Sequence, residues 1–300
     1  MNILPIDRQA QIIAALVEGN SIRATERMTN THRDTIMRLG VRVGQGCQAL
    51  HHHLFQNLET RILELDEIWA YVGKKQKRTT PDDVAGKGDQ YTFTALDADS
   101  KAIVSYRVGK RDGDTTRAFI WDLRERVAKF MQINTDAFPP YESAIAEIFG
   151  PDTHYAQIVK RVVGEPPVNA ARRYSPGHVV SISKRVVSGF PVEFLASTSY
   201  VERSNLTFRM QQRRFTRLTN GFSKKLENHK AAVALFVAHY NLCRIHETLR
   251  VTPAMELGIA DHVWSIEELI EAAGSPDDFA PVGRIASGGR FRVIDGGRAD

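Results

Sequence analysis

Three carboxylates stand where a carboxylate is either costly or well placed for chemistry. Asp66 lies within an apolar run, "RILELDEIWAYV", and shares a strand face with Ile68, Ala70 and Val72. A charge there is expensive unless it is paired or holds a cation. Asp136 ends a short strand, "QINTD", just before the turn "AFPPY". Alone it reads as a turn or cap residue. Yet the C-terminal end of a strand in an α/β sheet is also where ligands bind. Glu202 follows Ser199 by three residues in "STSYVERSNLTF". That spacing permits a capping box, with Glu202 reaching back to the Ser199 backbone N–H. As a group, Asp66, Asp136 and Glu202 offer the hard oxygen ligands that Mg²⁺ prefers. Two such ions about 4 Å apart can activate an attacking oxygen and stabilise the leaving oxygen of a phosphodiester. Among the neighbouring acids, Glu64 and Glu67 flank Asp66, with Glu67 expected on the opposite side of the sheet. Asp97 and Asp99 read as hairpin-shaping residues.

Other chemistries lack their motifs. There is no G-x-S-x-G elbow, no Walker loop, no G-x-G-x-x-G after a strand and no H-E-x-x-H. Cys47 precedes His51, His52 and His53, but no second cysteine pair completes a zinc site, and the segment reads as a polar turn. Two cysteines in all fit a reducing, cytoplasmic setting. No membrane span and no secretory signal are expected.

The net charge of +5 is unevenly placed. Residues 202–230 alone carry eight Lys and Arg against two Glu, more than the net surplus of the whole chain. A basic stripe of this kind is the footprint of a polyanion. The bland alternative, a solvated helix face, is weakened because few acids stand at helical spacing to neutralise it.

These residues need elements to position them. Residues 7–43 read as three short helices, with Ile12, Ile13, Leu16 and Val17 on one face of the first and Ser21 capping the second. In the third, Ile36 and Leu39 point inward and Arg33, Arg38 and Arg42 outward, a helix-turn-helix pattern. Around 44–60 the pattern lapses, as in a linker or short connecting helix. Strands are expected at 62–72 and on either side of a tight turn at Asp99-Ser100, then a helix, the strand ending at Asp136, and a second helix. Three antiparallel strands, a helix and a further strand form the opening order of a ribonuclease-H-like α/β fold, by analogy of order alone. Residues 150–198 read as an irregular excursion, with short strands in "HVVSISKRVV" and basic pairs at Lys160-Arg161, Arg172-Arg173 and Lys184-Arg185. Residues 200–219 are expected to be helical, with Val201, Phe208 and Phe215 forming a core stripe and Glu202, Arg209 and Arg213 beside it. Another helix is expected at 228–243, and a Gly-rich, mobile tail at 271–300.

The blocks "LDEIWAYVGKK", "INTDAFPPY", "STSYVERSNLTFRMQQRRFTRLTNGFSKK" and "HYNLCRIHETLRVTPAMELG" closely resemble the DDE transposases of the insertion-sequence-one type. The resemblance spans roughly residues 60–260, and "YVERSNLTFR" is its most specific part. It implies a ribonuclease-H-like mixed sheet flanked by helices over 60–260, preceded by a small all-α helix-turn-helix domain at 1–50. It further implies two Mg²⁺ ions, with Mn²⁺ as a substitute, held by Asp66, Asp136 and Glu202. The implied partner is double-stranded DNA, as element ends and as target, gripped by a homodimer or larger synaptic complex associated with the nucleoid. Such enzymes cut at terminal inverted repeats and join the freed 3′ ends to target DNA. Arg33, Arg38 and Arg42, with Arg209, Arg213, Arg214 and Lys224, are the expected DNA contacts. The Cys-rich zinc segment that precedes the helix-turn-helix in some members is absent here. Two alternatives share many of these features: a non-enzymatic helix-turn-helix regulator, and a host nuclease of the same fold.

Overall fold

The computed structural model describes residues 3–163, 178–216 and 219–275. Three helices open the chain: α1 (Ile6–Val17), α2 (Ile22–Thr29) and α3 (Arg33–Leu54). Ser21 caps α2 as expected, accepting the Ala24 N–H at 3.1 Å. The expected lapse after residue 43 is corrected. α3 runs unbroken through it, and the glycines that broke the pattern serve close packing. A Cβ at Gly44 would lie 2.1 Å from the Ala231 carbonyl oxygen, and one at Gly46 would lie 1.9 Å from that of Ala273. Cys47, Leu50 and Leu54 of α3 belong to the same buried cluster as Leu63 and Leu65.

After a two-residue strand β1 (Leu58–Glu59) come β2 (Ile62–Val72), β3 (Gly88–Asp97), β4 (Ile103–Gly109), α4 (Gly113–Arg126), β5 (Val127–Lys129), β6 (Gln132–Asp136) and α5 (Pro139–Phe149). The strands of the main sheet lie in the order β4-β3-β2-β6, extended by β7 (Tyr155–Val163) and β8 (His178–Ser188). β2, β3 and β4 are antiparallel neighbours, whereas β6 runs parallel to β2, and β7 parallel to β6. A central strand flanked by an antiparallel meander on one side and parallel strands on the other is compatible with a ribonuclease-H-like sheet. Asp97 shapes the β3–β4 turn, accepting the Ser100 N–H at 2.9 Å and hydroxyl at 2.6 Å.

Alternation along β2 divides the molecule into layers. Leu63 and Leu65 pack with Phe119, Ile120, Leu123, Tyr141 and Ile145 of α4 and α5. Ile68 and Ala70 face the other way, onto α6 (Ser199–Gln211) and α7 (Leu226–Leu242), where they meet Val201, Phe208, Val233 and Phe236. α7 is apolar on nearly every side because it is buried on nearly every side, between the sheet and α3. Two short helices, α8 (Pro253–Glu256) and α9 (Ile266–Gly274), complete the described chain.

The expected excursion at 150–198 is more regular than its sequence suggests. β7 and β8 pair antiparallel over most of their length. Val180 and Ile182 of β8 are exposed, so no buried stripe marked it as a strand. Arg172 and Arg173 lie outside the described residues. α6 is shorter than expected, ending at Gln211. A 3₁₀ turn, Arg213–Phe215, delivers Phe215 to the core beneath Phe208. Residues 271–274 close α9, and the rest of the expected tail is outside the described residues. No described helix is long and apolar enough to cross a membrane.

Candidate metal centre

β2 and β6 are parallel neighbours in the register Leu65 to Thr135, so the next residues, Asp66 and Asp136, end up side by side. α6 is laid across β2 on the same side as Asp66 and is pinned there twice. Glu64, only 1% exposed, accepts the N–H groups of Tyr200 at 2.8 Å and Val201 at 3.0 Å with Oε2. A strand carboxylate thereby satisfies two orphan donors in the first turn of α6. One helical turn further on, Asn205 Nδ2 donates to Asp66 Oδ2 at 2.8 Å.

These contacts rule out the capping box that the spacing of Ser199 and Glu202 permits. The N-cap is Thr198, and the Ser199 N–H donates to Ser197 Oγ at 3.0 Å. Glu202 Oε1 accepts the Thr198 hydroxyl at 2.6 Å and pairs with the Lys160 ammonium from β7. The helix start is served by Glu64 instead, which leaves the Glu202 carboxylate free of a capping duty.

Asp66, Glu67 and Asp136 each present a carboxylate oxygen within 4.8 Å of the others, the one such His/Cys/Asp/Glu group among the described residues. Glu202 is outside this group, held by Lys160 and Thr198. Glu67 leans toward α5, as its place on the opposite side of β2 requires. It accepts the Tyr141 hydroxyl at 3.1 Å and an N–H of the Arg111 guanidinium. Arg111 also approaches Asp136 Oδ2 at 3.8 Å and lies over the Phe138 ring at 4.0 Å. Asp136 Oδ1 accepts the Phe138 N–H at 3.0 Å.

The electrostatics follow from this crowding. Burial, then the charges of Glu67, Asp136 and Glu202, push the Asp66 carboxyl up to about 7. Burial likewise raises Asp136 and Glu67 against the opposing pull of Arg111. Burial raises Glu64 too, with its two amide partners opposing. Negative charge concentrated on hard oxygens, partly relieved by protons and by Arg111 and Lys160, is a donor set that fits a divalent cation.

The expected DNA contacts are scattered in character. Arg33, Arg38 and Arg42 are exposed on α3, with Arg42 also donating to Gln9 Oε1 at 2.6 Å. Arg213 is exposed on the 3₁₀ turn, and Lys224 is exposed with its ammonium 3.8 Å from the Phe222 ring centroid. Arg209 is half-buried on α6. Arg214 is turned inward: its guanidinium donates to Ser223 Oγ at 3.0 Å, and burial lowers its pKa. Cys47 and His51 are buried within α3 and not in the expected polar turn; the His51 ring bonds the Ile103 carbonyl at 3.0 Å and stacks on Phe55 at 4.3 Å. Three residues near the acids escaped notice in the sequence, Asn205, Arg111 and Tyr141, as did the helix-capping role of Glu64. Asn205 stands one turn after Glu202, which was the one signal available.

No protein-family model and no curated protein matches the chain. Among solved structures, a Mos1 transposase paired-end complex with left transposon end is similar at 10% identity and a TM-score of 0.25, over 80% of this chain and 79% of that one. A pre-cleavage Mos1 transpososome is similar at 10% identity and a TM-score of 0.19, over 79% and 80%. Likeness at this level fixes neither fold nor function.

Proposed function

We propose that the chain is a DDE-type DNA transposase, of the insertion-sequence-one type its motif blocks resemble. Asp66, Asp136 and Glu202 would hold two Mg²⁺ or Mn²⁺ ions, with Glu67 as an additional carboxylate beside them. One observation carries the reading: Asp66 and Asp136 are side by side at neighbouring parallel strands, under a helix that Glu64 and Asn205 fix with Glu202 on its exposed first turn. When bound, such ions supply Lewis acidity at the phosphoryl oxygen and at the attacking and leaving oxygens.

The chain's own residues do the rest. Asn205 orients the Asp66 carboxylate, and Arg111 with Tyr141 restrains Glu67. Lys160 and Thr198 hold Glu202 beside the cluster, near enough for its charge to raise both Asp66 and Asp136. Arg213 and Lys224 would neutralise DNA phosphates, and Arg33, Arg38 and Arg42 of α3 would read an inverted repeat as a helix-turn-helix. Hydrolysis at the element end adds water across the P–O3′ bond and leaves a 3′-OH with a 5′-phosphate. That hydroxyl then displaces the 3′ oxygen of a target strand. Cutting two ends together calls for two copies.

A crowded, half-buried acidic cluster costs stability unless it holds a cation, so a non-enzymatic regulator would need it for ligand binding rather than for DNA contact. A nuclease of the same fold would share the site but not the joining step. The test is incubation of purified protein with labelled DNA carrying the sequence that flanks its gene, with Mg²⁺, Mn²⁺ or EDTA. A discrete cut followed by joined products supports the reading. Cutting without joining points to the nuclease.

A further inference from the structure

Beyond the acidic cluster β2 continues for five residues, and its side chains alternate. Glu67, Trp69 and Tyr71 therefore fall on one face. Trp69 is opposite Tyr91 in the register with β3. The Trp69 and Tyr71 ring centroids are 5.7 Å apart, and the Tyr71 ring stacks on Phe222 at 4.7 Å with 28° between planes. The Phe222 loop is anchored to the end of β2, since the Gly73 N–H donates to the Ser223 carbonyl at 2.8 Å. Cations sit on the rings: Lys224 on Phe222 at 3.8 Å, Lys75 near Trp69 at 5.8 Å, and Arg111 between Tyr91 and Glu67. Trp69, Tyr71 and Phe222 are all half-buried, so each ring keeps accessible surface.

A core-filling explanation does not suit rings left half open on a sheet face beyond the cover of α4 and α5. Nor does an apolar protein partner, because it would have to desolvate the ammonium groups of Lys75 and Lys224 beside two of the rings. Stacked rings interleaved with lysines suit bases and phosphates alternately. Because base faces are available only outside the duplex stack, the fitting ligand is unpaired. The row also has a direction. It begins at Glu67 and Arg111, where Glu67 is the member of the acidic group on this face of β2 and Asp66 is on the other, and extends about 13 Å to Tyr71 at the strand rise of ~3.3 Å per residue.

We infer that Trp69, Tyr71 and Phe222 form a stacking platform for about two to four unpaired DNA nucleotides adjoining the phosphodiester held at the acidic cluster. The inference rests on the transposase reading for the identity of the DNA, but the platform is separable from the chemistry. Lys75 and Lys224 would contact the phosphates of the same nucleotides.

The test is fluorescence anisotropy in EDTA, comparing a blunt duplex with the same duplex carrying a four-nucleotide single-stranded extension. Wild-type protein should bind the extended duplex more tightly. Trp69→Ala or Phe222→Ala should each weaken binding of the extended duplex roughly ten-fold or more, the usual loss of one stacked base, and leave blunt binding unchanged. Tyr71→Phe and Trp69→Phe should retain the preference, which separates stacking from misfolding. Asp66→Ala should also retain it while abolishing cleavage, so a failure of the catalytic reading would be seen separately. Equal wild-type binding of both duplexes would overturn the platform, as would alanine variants that keep the preference. A ten-fold stronger preference for an RNA extension would overturn its assignment to DNA.

Discussion

Glu64 Oε2 accepts the backbone N–H of Val201 at 3.0 Å, which ties the strand bearing Asp66 to the first turn of the helix bearing Glu202. The same oxygen takes the Tyr200 N–H at 2.8 Å. Glu64→Ala leaves both donors unsatisfied over a small cavity. It should lower unfolding free energy by about 2–4 kcal/mol in urea titration. Glu64→Gln keeps an acceptor and should lose markedly less. Equal losses would mean that the amide contacts do not anchor α6.

Lys160 neutralises Glu202 and lies near Asp136. Its removal leaves the acidic cluster more negative. Lys160→Ala should therefore bind Mg²⁺ more tightly, by roughly two- to five-fold for so exposed a pair, in calorimetric titration without DNA. Unchanged or weaker affinity would show that the pair does not compete with the cation.

Asp66 sets a pH dependence whose sign follows from its raised value of about 7 against an ordinary value of 3.8. Between those values the folded state holds a proton that the unfolded chain has lost. Cation-free stability must then fall as pH rises through that window. Asp66→Asn removes the charged form and should stabilise the cation-free protein at pH 8 by on the order of 1–3 kcal/mol, while abolishing cleavage. Added Mg²⁺ should raise the Tm of the wild type at pH 8 more than at pH 5 and do little for the variant.

Arg213 and Arg214 are adjacent in sequence and opposite in role. Arg213 is exposed, whereas the Arg214 guanidinium is bonded to Ser223. In filter-binding across a salt series, Arg213→Ala should flatten the log–log slope by about 0.9. Arg214→Ala should leave the slope alone and lower the Tm. The reverse pattern would mean that Arg214 swings out to meet DNA.

The contrast between these two arginines shows how far the sequence is legible. Alternation and apolar runs placed β2, β3, β4, β6 and α4 through α7, because those elements bury a regular face or, like α7, nearly every side. Asp66 stood out for the same reason, as a charge inside such a run. Glu64 stood there too, but its partners are backbone amides more than a hundred residues away, which leave no mark in side-chain type. The turn from Gln212 to Phe215 fed a core position at the expected spacing, yet rotated Arg214 inward. Local spacing at Ser199 suggested a capping box, and the tertiary contact with Glu64 displaced it. The glycines of α3 read as a break when alone, and as close contact only once α7 and α9 lie against them.

The most direct test of the central claim is cleavage of a labelled element end by wild-type protein and by Asp66→Ala, Asp136→Ala and Glu202→Ala, each shown to be folded, with Mg²⁺ or EDTA. The account predicts a discrete 3′-OH product for the wild type with Mg²⁺, none with EDTA, and at least a hundred-fold loss in each variant, as for removal of a group acting at the transition state. Cleavage that persists in EDTA, or in any of the three variants, would contradict it.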